Sequence, residues 1–483
     1  MPILKLLAKD SIIYGGADFG SKLVALFTFP LIASVLPQKS IGILELVLTT
    51  TGLLGMLIQC GLSNSVHRFY WDEKLKPIDR PTLVSSAFSI QLSLGILFLI
   101  IASFSILIFP KLSIFPLSTI SWIAISAAIT LMVFKIWFVY ILDVTRLHLA
   151  PFRFLSISLA SKVASSVLGC FTVLYLGWGL DGYLSTQAVV MVAIFPLACW
   201  LIKKDLTFKI SKKWCEETFK YGYPFIFAGI AFWLLGTIDR WMLTAFTSLE
   251  EVSVYSVAFR FSSIILFITT AFGMAWGPVA IKIKSENPSK YKEFYADLLG
   301  VFLYLILLIS GLVGLFSGEI IKSLMSDDYS KSAFALIFLS FGVGLYGTQQ
   351  ITAMGISIEK KTYLFSRIAW ISLILNIVFN YFLIQKFGAT GASFSTLISY
   401  LFITSAYLFY SEKLHEIPFN KSRLLMLLIL GSFVIFVSMY FCINDFSLKY
   451  TLIKLVTLGL FAILGYLVIK NNILIGMKNF VVN

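Results

Sequence analysis

The sequence predicts an all-α polytopic membrane protein of about fourteen transmembrane helices, arranged as two parallel six-helix repeats followed by a helix pair. Three observations predict it. Of its 483 residues, 59% are hydrophobic and only 13% charged, whereas soluble domains run nearer a half and a quarter. Runs of about twenty apolar residues, enough to cross ~30 Å of hydrocarbon, recur along the whole length. Lys and Arg gather in alternate loops between those runs, which is a topology signal. This composition excludes a soluble enzyme, a nucleic-acid module and a secreted disulfide scaffold. The net charge of +14 reflects loop placement. Of the five cysteines, Cys60, Cys170, Cys199 and Cys442 lie in or beside apolar runs and only Cys215 in a polar loop, so no disulfide framework is expected.

The spans fall in order at roughly 11–36, 41–65, 82–109, 118–142, 150–176, 181–202, 222–246, 252–276, 295–317, 331–358, 362–386, 389–411, 422–443 and 450–470. The first follows Lys5 and Lys9, contains Asp18 and Lys22, and lacks a small-residue cleavage site. It reads as a span rather than a leader. Loops after odd spans are short and nearly uncharged, whereas those after even spans are longer and basic. About 25 Lys and Arg lie on the side of the N-terminus, about six on the other, and the rest inside spans. Under the positive-inside rule both termini are expected in the cytoplasm.

The linker Lys203–Tyr221 separates two halves that resemble each other. Gly179-Leu-Asp-Gly182, with Ser185-Thr186, opens span six; Gly388-Ala-Thr-Gly391, with Ser395-Thr396, opens span twelve, about 209 residues later. Lys39-Ser-Ile-Gly before span two matches Glu251-Val-Ser-Val before span eight at nearly the same offset. Span four exits at Thr145-Arg146 and span ten at Glu359-Lys360-Lys361. Six spans return the chain to its starting side, so the repeats are parallel, an arrangement in which transporters place the substrate at the repeat interface. The expected divisions are 1–205, 206–412 and 413–483, the last being the extra pair and a tail.

Polar residues inside spans fall on helical stripes: Tyr14, Asp18, Ser21 and Thr28; Glu45, Thr49, Gly52, Met56, Gln59 and Ser63; Ser158, Lys162, Ser165, Gly169 and Thr172; Gly229, Trp233, Gly236 and Arg240; Ser256, Arg260, Ser263 and Thr270. A water-filled cavity between the halves accounts for them together. Lys22, Lys135, Lys162, Arg240, Arg260, Arg367 and Lys454 are intramembrane cations, and Asp18, Glu45 and Asp239 the clear anions. Such residues mark pathways. Cations at successive depths suit a phosphate or diphosphate anion, which Arg grips bidentately and Lys meets as a point charge. Lys22, Lys135, Lys162, Arg240 and Arg260 are therefore candidate substrate ligands, and Asp18, Glu45 and Asp239 candidates for ion coupling. Against this, Asp18 and Lys22 are spaced to neutralise each other, and Lys454 is expected to snorkel. Arg367 fits an interfacial anchor, and small-residue stripes also serve helix packing. His67 and His148 read as solvated.

Enzyme signatures are absent: there is no Gly-Lys-Ser/Thr phosphate loop, Gly-x-Ser-x-Gly elbow or His-Glu-x-x-His. No loop is long enough for an appended nucleotide-binding domain. Neither catalysis nor a cofactor is expected, and energy would come from an ion or substrate gradient.

Several segments together resemble the polysaccharide repeat-unit flippases (Wzx type), of the superfamily that also holds multidrug exporters and lipid II flippases. They are Tyr14-Gly15 with Asp18 and Lys22, Gly42-Ile-Leu-Glu45, Gly61-Leu-Ser-Asn-Ser-Val-His-Arg-Phe-Tyr70, Asp239-Arg240 and Gly388-Ala-Thr-Gly391-Ala. The resemblance covers about 1–411. It implies a two-lobed, alternating-access bundle with a cationic vestibule, moving a polyprenyl diphosphate-linked oligosaccharide across a bacterial cytoplasmic membrane for surface polysaccharide such as O-antigen or capsule. H⁺ or Na⁺, membrane lipids and the polymerase machinery are the implied partners; nucleic acid is not. A cation-drug antiporter would favour acidic and aromatic residues in the cavity. A lipid II flippase would share the anionic substrate. A membrane glycan polymerase would carry a large outer loop, and the longest here is Ser317–Ser330.

Overall fold

The computed structural model describes residues 20, 23–72, 75–108, 120–148, 150–207, 209–286, 288–442 and 447–480. Asp18 and Lys22 lie outside the described residues. Everything regular in them is helical, as the hydrocarbon core demands of a chain whose backbone groups must pair internally. Twelve helices among the described residues are long and apolar enough to cross a membrane, and Leu23–Ala33 (α1) is a shorter apolar helix.

The chain divides into two compact units, Met1–Thr237 and Ile238–Asn483. The first holds α2 (Gln38–Gln59), α3 (Leu62–Phe69), α4 (Arg80–Ile108), α5 (Trp122–Leu147), α6 (Pro151–Leu174), α7 (Gly179–Leu201) and α8 (Lys212–Gly222). α9 (Pro224–Phe246) runs across the division. In the first unit α7 packs against α5 and α6, while α5 also meets α2 and α4. The left-handed pair Cys60 (φ 46) and Gly61 (φ 62) ends α2 and turns the chain into α3. The linker is pinned rather than loose: Ser65 Oγ donates to the Thr218 carbonyl at 2.7 Å, and the Ser211 amide donates to Ser86 Oγ at 2.9 Å.

The second unit holds α10 (Leu249–Glu286), α11 (Tyr291–Leu315), α12 (Ser317–Leu324), α13 (Ser332–Gly347), α14 (Gln349–Thr352), α15 (Met354–Ile358), α16 (Tyr363–His415), α17 (Lys421–Tyr440) and α18 (Leu448–Phe480). Its centre is α13, almost wholly buried against α10, α11 and α16. Apolar helices gain little from mutual burial in lipid, so close approach of small residues must hold them. Accordingly the Gly342 backbone lies against Leu397 and Gly344 against Ser310 and Ile306.

α16 spans 53 residues, far more than one crossing needs, and it breaks at Gly388 (φ 52, ψ −132). Gly179, its counterpart in the first repeat, is also left-handed at φ 58. The shared motif is therefore a backbone device that starts a fresh helix. At Gly388 the new helix is capped by Glu251, whose carboxylate accepts from the Ala389 amide at 2.7 Å, and a Cβ at Gly388 would strike that carboxylate. Gly388→Ala is expected to destabilise the protein by about 2 kcal/mol or more, from the left-handed backbone and the lost cap together. A melting curve of the purified protein checks this.

α17 and α18 pack on α11 and on each other. Lys454 does not snorkel: it is fully buried, and its Nζ lies 2.6 Å from Glu319 Oε1 of α12. The anionic partner within reach makes burial of the ammonium less costly than a stretch to the interface.

Candidate functional site

Two polar centres stand out, one in each unit. In the first unit, a cavity of about 360 Å³ lies among α2, α5 and α9, lined by Thr51, Gly52, Met56 and Gln59, by Met132 and Lys135, and by Trp233. Gly52 leaves room for the Trp233 indole against the α2 backbone. Lys135 is enclosed by helices, yet its side chain stays accessible because it opens into this cavity. Lys162 of α6 is also accessible and near enough for the two ammonium charges to repel. Two like charges at membrane depth favour the entry of an anion.

The stripe expected on span two is divided by this cavity. Gly52, Met56 and Gln59 line it, whereas Glu45, Thr49 and Ser63 are buried in the packing. Glu45 lies near the start of α2, only 6% exposed.

The second centre is Asp239, fully buried on α9. Its Oδ2 accepts from Tyr255 Oη at 2.7 Å and Thr396 Oγ1 at 3.2 Å, and its Oδ1 accepts from Asn380 Nδ2 at 2.6 Å. Asn380 Nδ2 also donates to Asn376 Oδ1 at 2.9 Å, and Asn376 Nδ2 donates to Ser395 Oγ at 3.4 Å. Arg240 is buried, with its guanidinium over the rings of Tyr255 (5.3 Å) and Phe259 (4.9 Å). Three helices thus converge on one carboxylate. Charge-assisted hydrogen bonds of this kind are about twice as strong as neutral ones, which is how the protein keeps a carboxylate at that depth. Asn380 Oδ1 is buried without a donor among the described residues.

Of the candidate site residues, the structure brings Lys135 and Lys162 together in the first unit and Asp239 and Arg240 in the second. Arg260 is half-buried on α10. Tyr255, Asn376 and Asn380 were missed by sequence reasoning. The two asparagines, one turn apart within an apolar span, were the available signal. Offsets of 211 place Thr28 and Leu44, and offsets of 210 place Cys170 and Thr186, where the second unit has Asp239, Tyr255, Asn380 and Thr396. There Cys170 Sγ donates to the Thr28 carbonyl at 3.6 Å.

A family model described as "Polysaccharide biosynthesis protein" matches residues 7–284, more than half of the chain. The chain belongs to this family. A second model, MatE, matches residues 224–382. Among curated proteins, the probable low-salt glycan biosynthesis flippase Agl15 of Haloferax volcanii is 23% identical over 249 residues, covering 51% of this chain and 52% of that protein. The probable flippase AglR of the same organism is 28% identical over 170 residues, covering 34% and 35%. The chain spans about half the length, or less, of the curated relatives it matches. Among solved structures, a lipid II flippase MurJ in an inward closed conformation aligns at TM-score 0.71 and 17% identity, over 97% of this chain and 100% of that one. A MOP superfamily transporter from Pyrococcus furiosus aligns at TM-score 0.59 and 15% identity, over 85% and 95%. These likenesses establish the fold of the chain, a helical bundle shared with those two solved structures.

Proposed function

We propose that the protein is a flippase that carries a polyprenyl diphosphate-linked oligosaccharide across a cytoplasmic membrane by alternating access. The observation that carries this reading is the pair of accessible ammonium groups, Lys135 and Lys162, at membrane depth beside a cavity. A diphosphate crossing hydrocarbon needs charge compensation on the way, and Lys supplies it as a point charge that can release its ligand. The lipid tail stays in the bilayer while the glycan follows the wet path. Arg260, Arg240 and Lys22 are proposed as further contacts along that path.

Asp239 is proposed as the ion-coupling group. A buried carboxylate fed by three neutral donors can take up H⁺ or Na⁺, and the unsatisfied Asn380 Oδ1 beside it suits a cation. Asp18 and Glu45 would serve the same role in the first repeat. The bacterial setting implied by the resemblance and the archaeal setting of the relatives pose the same chemical task at the membrane.

A cation-drug antiporter is disfavoured because the accessible charges beside the cavity are positive. A lipid II flippase shares the anion chemistry and differs in the glycan. Depletion of the protein separates these readings by showing which lipid-linked glycan accumulates in the inner leaflet; no accumulation would overturn the flippase reading. The basic ends of the helices are proposed to face the cytoplasm. Cys placed at Lys212, which is exposed on α8, is then expected to resist an impermeant maleimide in intact cells and react after permeabilisation.

A further inference from the structure

The chain has three histidines, and two of them belong to repeat-related pairs, each with a carboxylate. In the first unit, His148 Nε2 at the end of span four lies 2.8 Å from Asp205 Oδ2, just beyond span six. In the second, Glu359 Oε1 at the end of span ten lies 2.7 Å from His415 Nδ1, at the end of span twelve. The offset from His148 to Glu359 is 211 and that from Asp205 to His415 is 210, within one or two residues of the offset that relates the two glycine motifs. The polarity is inverted: the imidazole stands on the fourth span in one repeat and on the sixth in the other.

A third position joins each pair. Arg80, which opens α4, and Tyr291, which opens α11, are also 211 apart. Tyr291 Oη lies 2.7 Å from His415 Nε2. Arg80 stacks on Tyr70, and the Tyr70 ring lies beside His148 with centroids 6.4 Å apart. Asp205 and His415 are more than nine-tenths buried, while His148 and Glu359 are 21% and 39% exposed, so each pair joins a buried side chain to one that reaches solvent. The hydrogen bond from His415 holds the Glu359 carboxyl below its usual range. In the first unit the pair also fastens the linker, because Ser85 Oγ donates to the Asp205 carbonyl and accepts from the Thr207 amide, both at 2.8 Å.

We propose that His148–Asp205 and Glu359–His415 are twin latches, positioning pairs that bind the basic ends of the fourth and sixth spans of each repeat so that each repeat moves as one body during transport. Inverted polarity is what complementarity alone predicts: a hydrogen bond needs a donor facing an acceptor, whichever helix carries which. The transport part of the proposal rests on the flippase reading; the pairing part does not.

The test uses the full chain, both purified and in cells. His148→Glu sets two carboxylates face to face, and H148E/D205H installs the arrangement of the second repeat. H148E is expected to lower the melting temperature and to cut glycan export about ten-fold or more, with protein level and substrate binding unchanged. H148E/D205H is expected to restore both to near wild type, as coupled neighbours do. E359H/H415E is expected to rescue E359H in the same way. If each swap is as impaired as its single variant in both readouts, the latch is overturned. If swaps rescue the melting temperature and not export, the pairing stands and its role in transport is overturned. If wild type itself exports no glycan, the flippase reading fails, and the melting data still decide the pairing.

Discussion

Asp239→Asn is expected to leave a folded protein that no longer drives uphill export, and Asp239→Ala one that is also less stable. The carboxylate accepts hydrogen bonds from Tyr255, Asn380 and Thr396 in a fully buried position. An amide there still offers one oxygen to these donors but cannot take up a proton or balance a metal cation, so coupling is lost while packing survives. Alanine removes the acceptor altogether. Each donor then left unsatisfied costs about 1–3 kcal/mol, and Arg240 loses the neighbouring negative charge. Export assays at matched expression, with melting curves for both variants, check the expectation. Wild-type export by Asp239→Asn under an imposed H⁺ or Na⁺ gradient would remove Asp239 from the coupling role.

Lys135→Met is expected to reduce export about ten-fold or more while leaving the protein as stable as wild type or more so. The apolar stem keeps its packing, whereas the charge that repels Lys162 disappears. A cation held beside a like charge at membrane depth raises the free energy of the resting protein, so losing it favours the resting protein and disfavours the loaded one. The loss of one point-charge contact to a diphosphate is on the order of 1.5–3 kcal/mol, which sets the expected factor. The double variant Lys135→Met, Lys162→Ala is expected to abolish export. Opposite signs in activity and stability separate a binding residue from a structural one; if both fall together, Lys135 is part of the packing.

The sequence by itself determined the membrane class and the all-helical fold, because a bilayer leaves few options. Each crossing needs its own apolar length and its own internal backbone pairing. Gly179 and Gly388 were legible for a related reason: a left-handed break is available to few other residues, so the motif survives in both halves and marks the start of a new helix. Intramembrane charges were legible as a set, since their burial is costly wherever they point.

Only the tertiary structure decided what each charge faces. Lys454 reads in isolation as a snorkelling residue, and its partner Glu319 lies 135 residues earlier. His148 reads as a solvated loop residue until Asp205 arrives from the end of another helix. Asp239 is identifiable as an anion in a span, but Tyr255, Asn380 and Thr396 reach it from three other stretches of chain. Lys135 and Glu45 look alike on paper as lone charges in apolar runs, yet one opens into a cavity and the other is packed away. The physical reason is common to all four. Helical periodicity fixes which residues share a face, whereas the neighbour that satisfies a buried charge is set by long-range packing.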